Sequence, residues 1–350
     1  MNGKPTDIRT LSFSEIEKFF LKSGEKPFRA RQVYDWLWRN YCRSFDEMTN
    51  ISKDIRQLLK DNFSFPAAVI HQEIKSTDGT IKMVFRLDDG QLVEGVLIPA
   101  DGRTTACISS QVGCALNCSF CATGQGGFSR NLLFHEITDQ VILLNQRSNE
   151  EFGINLSNIV YMGMGEPLLN YEEVMKSVDA ITSEEGLGMS PQRITVSSVG
   201  IPSMIRQLAD DDARFHFALS LHVANDRKRD SIIPANKKYS LQELTEALRY
   251  YHQKTNKRFT IEYILFGKFN DTLADARELA VFCKSFPVKI NLIEYNPVTD
   301  TGFEQPDPAS VTAFRDFLEK RNLVVNVRRS RGKDISAACG QLAGVLKKKT

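Results

Sequence analysis

The stretch Cys114-Ala115-Leu116-Asn117-Cys118-Ser119-Phe120-Cys121 decides how the rest of the chain is read. Three cysteines are separated by three and then two residues. They follow an apolar, strand-like run over 104–109 and a short turn, Gln111-Val112-Gly113. Thiolates are soft donors suited to zinc or iron–sulfur clusters, and this spacing lets one loop wrap a metal centre. A structural zinc site closes with four ligands, usually from paired CxxC knuckles. Only one CxxC is present, with no nearby histidine to complete it. A [4Fe–4S] cluster has four irons, so three thiolates leave one iron open to a further ligand. The stretch therefore points to a cluster with an open corner.

Outward from it, residues 103 to about 329 alternate short apolar strands with amphipathic helices. The pattern predicts strands over 104–109, 157–162, 193–198, 214–221, 259–265 and 288–294, with a last strand near 323–328. Helices are expected between them, among others over 134–147, 171–183, 240–254 and 271–286. Such alternation signals a parallel sheet with right-handed crossovers. Six units give an α/β fold, a partial (β/α)6 barrel rather than the closed eightfold form. In these folds chemistry gathers where strands end. The expected strand ends are Gly163-Met164-Gly165-Glu166-Pro167, Ser197-Ser198-Val199-Gly200, Ser220-Leu221-His222, Phe266-Gly267 and Tyr295-Asn296-Pro297. Turn chemistry explains one or two of these; the whole series reads as the lining of a cofactor site. Gly163-x-Gly165 lacks the third glycine of a dinucleotide fingerprint. Beside a cluster it suits backbone approaching a ligand's amino group, with Glu166 as acceptor. His222 reads equally well as a satisfied core histidine.

The flanks differ in character. Residues 1–66 read as a helical accessory domain, with a capping box at Ser12 and Glu15, and Pro27 opening a second helix. Arg29, Arg31, Arg39 and Arg43 interleave with aromatic residues, a mixture suited to RNA; the plainer alternative is a solvated basic face. Residues 67–99 read as a three-strand meander linking that domain to the core, 100–329, or forming the core's rim. Residues 330–350 form a C-terminal loop and tail. Hydrophobic residues at 42% and charged residues at 25% describe a globular protein able to bury a core. No apolar run is long enough for a membrane span, and the first residues lack a signal peptide's apolar core, so a cytoplasmic location is expected. Seven cysteines, unevenly spaced, argue against a secreted disulfide framework. Cys42 and Cys283 fall in helical patterns and read as buried thiols. Cys107 lies on the first core strand. Cys339 lies in a run of small residues suited to a thiol on a mobile loop. Arg328, Arg329, Arg331 and Lys333 before it, and Lys347, Lys348 and Lys349 after it, favour thiolate and phosphate alike, or are simply solvated.

A CxxxCxxC motif opening a (β/α) barrel resembles the radical S-adenosylmethionine (SAM) enzymes. More specific strings are Phe28-Arg29-Ala30, Ser109-Ser110-Gln111-Val112-Gly113-Cys114, Gly127-Phe128-x-Arg130-Asn131, Met162-Gly163-Met164-Gly165-Glu166-Pro167-Leu168-Leu169-Asn170, Ser220-Leu221-His222 and Cys339-Gly340-Gln341-Leu342. Together they resemble the RlmN/Cfr family of RNA methyltransferases along essentially the whole chain. The resemblance implies methylation of adenosine C2 in 23S ribosomal RNA and in tRNA, 3′ to the anticodon; C8 methylation of the Cfr type is the alternative. It implies a [4Fe–4S] cluster on Cys114, Cys118 and Cys121, and two SAM molecules per turnover. SAM would be held by Gly165, Glu166, Ser197, Ser220, Leu221, His222 and Asn296. Cys339 would carry the methyl group, a 5′-deoxyadenosyl radical would activate it, and Cys107 would resolve the protein–RNA adduct through a disulfide with Cys339. Glu94 matches the family's proton acceptor, its plainer alternative being an exposed strand glutamate. A flavodoxin-type electron donor and a monomeric state are expected.

Overall fold

The computed structural model describes residues 5–184, 186–299 and 301–342, so Lys347, Lys348 and Lys349 lie outside the described residues. Ten strands form one sheet in which each strand lies beside its predecessor in sequence. They are β1 (Val69–Lys75), β2 (Ile81–Arg86), β3 (Leu92–Ala100), β4 (Arg103–Cys107), β5 (Asn158–Tyr161), β6 (Ile194–Ser198), β7 (His216–Ser220), β8 (Phe259–Leu265), β9 (Val288–Glu294) and β10 (Val324–Arg328). From β4 to β10 all pairings are parallel. The order is linear, with β1 and β10 at opposite edges, so the sheet stays open as a partial barrel.

The helices are α1 (Phe13–Lys22), α2 (Phe28–Trp38) and α3 (Lys53–Asn62) before the sheet, then α4 (Phe134–Phe152), α5 (Tyr171–Thr182), α6 (Pro202–Asp210), α7 (Asp226–Ile232), α8 (Leu241–Thr255), α9 (Leu273–Cys283) and α10 (Pro308–Glu319) in the crossovers. Their starts follow from local chemistry. Ser240 with Glu243 and Thr272 with Asp275 form capping boxes, and Pro202 and Pro308 occupy first turns where no N–H donor is needed. Among strands, β8 shows cover on both faces: Phe259, Ile261, Tyr263 and Leu265 are buried on one face, and Glu262 and Ile264 on the other. Helix α4 runs on to Phe152, past the expected 147, until Gly153 adopts a left-handed conformation (φ 69°) and caps it. None of the described helices is long and apolar enough to cross a membrane.

The meander is hydrogen-bonded into the same sheet. β1, β2 and β3 are antiparallel, and β3 pairs with the first barrel strand through Val96 and Cys107. A barrel strand left at an edge exposes unpaired N–H and C=O groups, and β3 supplies their partners. It also lies on α4, and Gly95 leaves room for the Phe85 ring, which a Cβ there would meet at 2.8 Å.

The N-terminal helices bury their own core, including Ile8, Phe20, Val33, Leu37, Ile55 and Leu59. A buried charge cluster fastens this unit to α4. Arg9 donates to Asp139 at 2.8 Å and to the Pro66 carbonyl, and its Nη2 lies 2.9 Å from His135 Nδ1. His135 Nε2 lies 3.0 Å from Asp7, and Asp139 accepts from the Ala68 amide at 2.9 Å. Trp38 stacks on Phe134 of α4 with centroids 5.7 Å apart. Much of the aromatic half of the RNA-like pattern on α2 is thus taken up by packing, while Arg31 and Arg39 both pair with Asp35.

Candidate active site

Residues 114–127 form the loop between two short antiparallel strands, Gln111–Gly113 and Phe128–Asn131. The Cys114 amide donates to the Gly127 carbonyl at 2.8 Å and pinches the mouth of the loop shut. Gly113 sits there at φ 77°, and any Cβ would collide with that carbonyl. Within the loop, the Cys121 amide donates to Cys118 at 3.2 Å and the Ser119 amide to Ile232 at 3.0 Å. The result sets Cys114, Cys118 and Cys121 on the wall of one cavity of about 150 Å³. Burial pushes the Cys114 thiol up to about 12 and raises that of Cys118 further. A bound metal reverses this, since a coordinating thiol is deprotonated outright.

Strand ends supply more of that wall, with Gly165, Glu166, Ser197, Ser220 and His222, and Glu262 joins them from within β8. Gly165 stands at φ 100° with a prospective Cβ only 2.5 Å from the Gln111 side chain, so the loop passes the cluster strands with no room for a side chain. Glu166 accepts from the amides of Leu168 (3.0 Å) and Val199 (2.9 Å), tying the end of β5 to the end of β6. Its burial raises the pKa, which these donors oppose. Ser197 and Ser220 hydroxyls lie 2.9 Å apart. His222 takes a left-handed conformation (φ 57°), accepts the Ile264 amide on Nδ1 at 3.1 Å and meets the edge of Phe120. Burial lowers its pKa to about 3, so it is a neutral imidazole whose other nitrogen carries the proton.

Asn296 is buried near the end of β9, and its Oδ1 has no hydrogen-bond partner. Leu221 is fully buried in the main core and does not line the cavity; its carbonyl accepts from Arg229 at 3.1 Å. Among residues the sequence left unremarked, Glu262 is the most telling. It interrupts the apolar run of β8, and a carboxylate in a covered strand is costly unless partnered, which was the available signal. Its partners are Asn291 at 2.8 Å and Arg328 at 3.5 Å.

Cys339 is the hinge of the arrangement. It lines the cavity of the three cysteines, and it also lines a second cavity of about 80 Å³ shared with Cys107, Met162 and Arg328. All the cysteines are unpaired thiols. Burial raises both Cys107 and Cys339, and the Arg328 guanidinium opposes the rise in each. The segment carrying Cys339 is anchored, unlike the mobile loop its composition suggests. Gly332 donates to Asp78 (2.9 Å), Asp334 accepts from Ser76 (2.5 Å) and the Thr77 amide (3.1 Å), and beyond the thiol the Ala122 amide donates to Gly340 (2.8 Å). Small side chains here allow close backbone docking rather than freedom. Glu94 is not the exposed strand residue of the plainer alternative: it has no exposed area and lies 4.0 Å from the equally buried Lys82. It lines a third cavity, with Thr123 and Met164, and neither of the two that share Cys339. Cys42 and Cys283 are buried in the cores, each pushed up to about 12 by burial.

Comparison with known proteins gives the family. Residues 6–64 match the family described as ribosomal RNA large subunit methyltransferase N-terminal domain, and residues 108–280 match the radical SAM superfamily. A probable dual-specificity RNA methyltransferase RlmN from Cytophaga hutchinsonii is 54% identical over 96% of this chain and 92% of its own. The chain belongs to the RlmN family of radical SAM RNA methyltransferases. The dual-specificity RNA methyltransferase RlmN of Oleidesulfovibrio alaskensis is 45% identical over 96% of this chain and 95% of its own. The crystal structure of a radical SAM methyltransferase from Sphaerobacter thermophilus superposes with a TM-score of 0.91 at 40% identity, covering 97% of this chain and 99% of that one. Its cofactors are accordingly a [4Fe–4S] cluster and SAM. The residues present fit both groups: three thiols of one loop share a cavity whose further thiol, Cys339, comes from a separate segment, glycine lines the wall, and the buried Asn296 Oδ1 has no hydrogen-bond partner among the described residues.

Proposed function

We propose that this enzyme methylates C2 of an adenosine in 23S ribosomal RNA and of the adenosine 3′ to the anticodon in tRNA, with Cys339 as the carrier of the methyl carbon. The observation that carries this is the double position of Cys339, facing the three cysteines in one cavity and Cys107 in the next. Cys114, Cys118 and Cys121 would hold the cluster. Gly165, Glu166, Ser197, Ser220, His222 and Asn296 would hold SAM, with Leu221 serving as the buried backbone link that sets Ser220 and His222. When bound, cluster and SAM supply both a methyl cation equivalent and a 5′-deoxyadenosyl radical.

The chain's own residues do the rest. Cys339 Sγ takes a methyl group from one SAM: the S–CH3 bond forms as the sulfonium–methyl bond breaks and S-adenosylhomocysteine leaves. After hydrogen abstraction from that methyl group, Cys339 holds the carbon against C2 while the new bond forms. Glu94 would accept the C2 proton, and the bound cluster would supply the acceptor for the one electron that the adduct gives up. Cys107 thiolate then attacks Cys339 Sγ. The S–S bond forms as the carbon–sulfur bond breaks, its electron pair stays on carbon, and that carbon takes up a proton. A dithiol reductant restores both thiols. Arg328, on the cavity of both cysteines, favours the thiolate each step needs. A flavodoxin-type protein delivers the electron, and the enzyme acts as a cytoplasmic monomer.

The test is nucleoside mass spectrometry of RNA treated with the reconstituted enzyme. 2-Methyladenosine is expected in both RNAs, and 8-methyladenosine instead would overturn the regiochemistry. Peptide mass spectrometry of the purified protein should show S-methylated Cys339.

A further inference from the structure

Lys82 is a buried charge that the chemistry above does not use. It lies within β2 with no exposed surface. On the pleated sheet it is diagonal to Glu94, because Lys82 pairs with Val96 and Val84 with Glu94. Its ammonium reaches in two directions. One is Glu94 Oε1 at 4.0 Å; the other is the carbonyl of Ser336 at 3.3 Å, three residues before Cys339. A buried ammonium costs several kcal/mol of desolvation even when paired, and an apolar chain of the same length would avoid that cost. Stability therefore gives no reason for the charge.

Its surroundings do. Residues 332–336 are strapped onto the β1–β2 turn through Asp78, Ser76 and Thr77. Past Cys339, the Gly340 and Leu342 carbonyls accept from Ala122 and Thr123, at the exit of the cluster loop. Cys339 is thus suspended between the meander and the cluster loop. Lys82 is the point at which the meander side of that suspension meets the carboxylate assigned to proton removal.

We propose that Lys82 is a positioning residue for transfer from Cys339: one ammonium fixes the Glu94 carboxylate and the backbone strap of Cys339 together, so carbon carrier and proton acceptor meet the base in a single register. This role rests on those given to Cys339 and Glu94 above. It implies that removing the charge uncouples radical formation from RNA methylation, because neither the cluster cysteines nor the cavity they line involves Lys82.

The experiment compares full-length, reconstituted wild type with Lys82→Met, Lys82→Gln and Lys82→Arg. Three readouts are taken: 2-methyladenosine formed per 5′-deoxyadenosine, methyl occupancy of Cys339 before RNA is added, and amide hydrogen exchange over residues 332–339. In Lys82→Met and Lys82→Gln the product ratio should fall at least tenfold and exchange should rise several-fold, with cluster absorbance kept. Lys82→Arg, which retains a cation, should recover most of the ratio. An unchanged ratio in Lys82→Met overturns the role. If Lys82→Met does not fold, Lys82→Gln and Lys82→Arg decide, and equal ratios in those two overturn it. A wild-type enzyme that never carries methyl on Cys339 would instead sink the carrier reading itself.

Discussion

The cluster loop and the Cys107–Cys339 pair solve similar problems in opposite ways. Cys114, Cys118 and Cys121 come from one eight-residue stretch, and local hydrogen bonds pinch that loop into shape. Cys107 ends a barrel strand, while Cys339 arrives on a strap beyond the last strand, and they share a cavity only because the sheet places β4 and the strap on one side of the site. The first arrangement is local. The second is made by long-range packing, which suits the carrier and resolving roles proposed for its two thiols.

The largest expected effects separate the two regions. Cys118→Ala should lose the cluster's visible absorbance and all 5′-deoxyadenosine formation. Cys339→Ala should keep the absorbance yet make no detectable 2-methyladenosine; measurable product would break the distinction. Cys107→Ala should stop at the stage before resolution, leaving RNA covalently attached to protein as a shifted band on a denaturing gel. A released, methylated RNA from that variant would show that the shared cavity has no resolving role.

Smaller effects sharpen the comparison. Gly165→Ala meets Gln111 and an unfavourable positive φ, a strain on the order of 1–3 kcal/mol. It should lower the melting temperature and weaken SAM binding by calorimetry, leaving the Cys107 side untouched. At neutral pH the smallest effect belongs to the buried charge cluster that fastens the N-terminal helices to α4. Burial, with Arg9 and Arg130 nearby, lowers the His135 pKa from its usual 6.5 to about 3. Between those values the unfolded chain binds a proton that the native state refuses, so stability is full above about pH 6.5 and falls as pH drops through the window. Urea denaturation at several pH values should show this decline, and His135→Gln should flatten it.

Legibility followed the range of the forces involved. Strands 259–265 and 288–294 were readable to the residue, because buried apolar residues recur at alternate positions in both, Phe259, Ile261, Tyr263 and Leu265 in one and Val288, Ile290 and Leu292 in the other. The strand pair around the cluster loop was not, since three- and four-residue strands such as Gln111–Gly113 and Phe128–Asn131 carry no periodicity. Composition misread the Cys339 segment as mobile, because alanine and glycine signal freedom locally but permit close docking when partners such as Asp78 and Ser76 are brought near. Local sequence left Glu94 open between a proton acceptor and an exposed strand glutamate, and it did not single out Lys82. Only burial of the meander against α4 and the C-terminal strap makes them an interior pair.

The sequence by itself determined the three-cysteine loop proposed to hold the cluster, the alternation that builds an open parallel sheet, and the presence of two further thiols. Each is encoded within a dozen or so neighbouring residues, where spacing and hydrophobic period act directly. Tertiary structure decided that Cys107 and Cys339 share a cavity, that Glu94 is buried with a lysine rather than exposed, and that Cys339 stands in both cavities at once. These depend on contacts between segments separated by hundreds of residues, which no local pattern records.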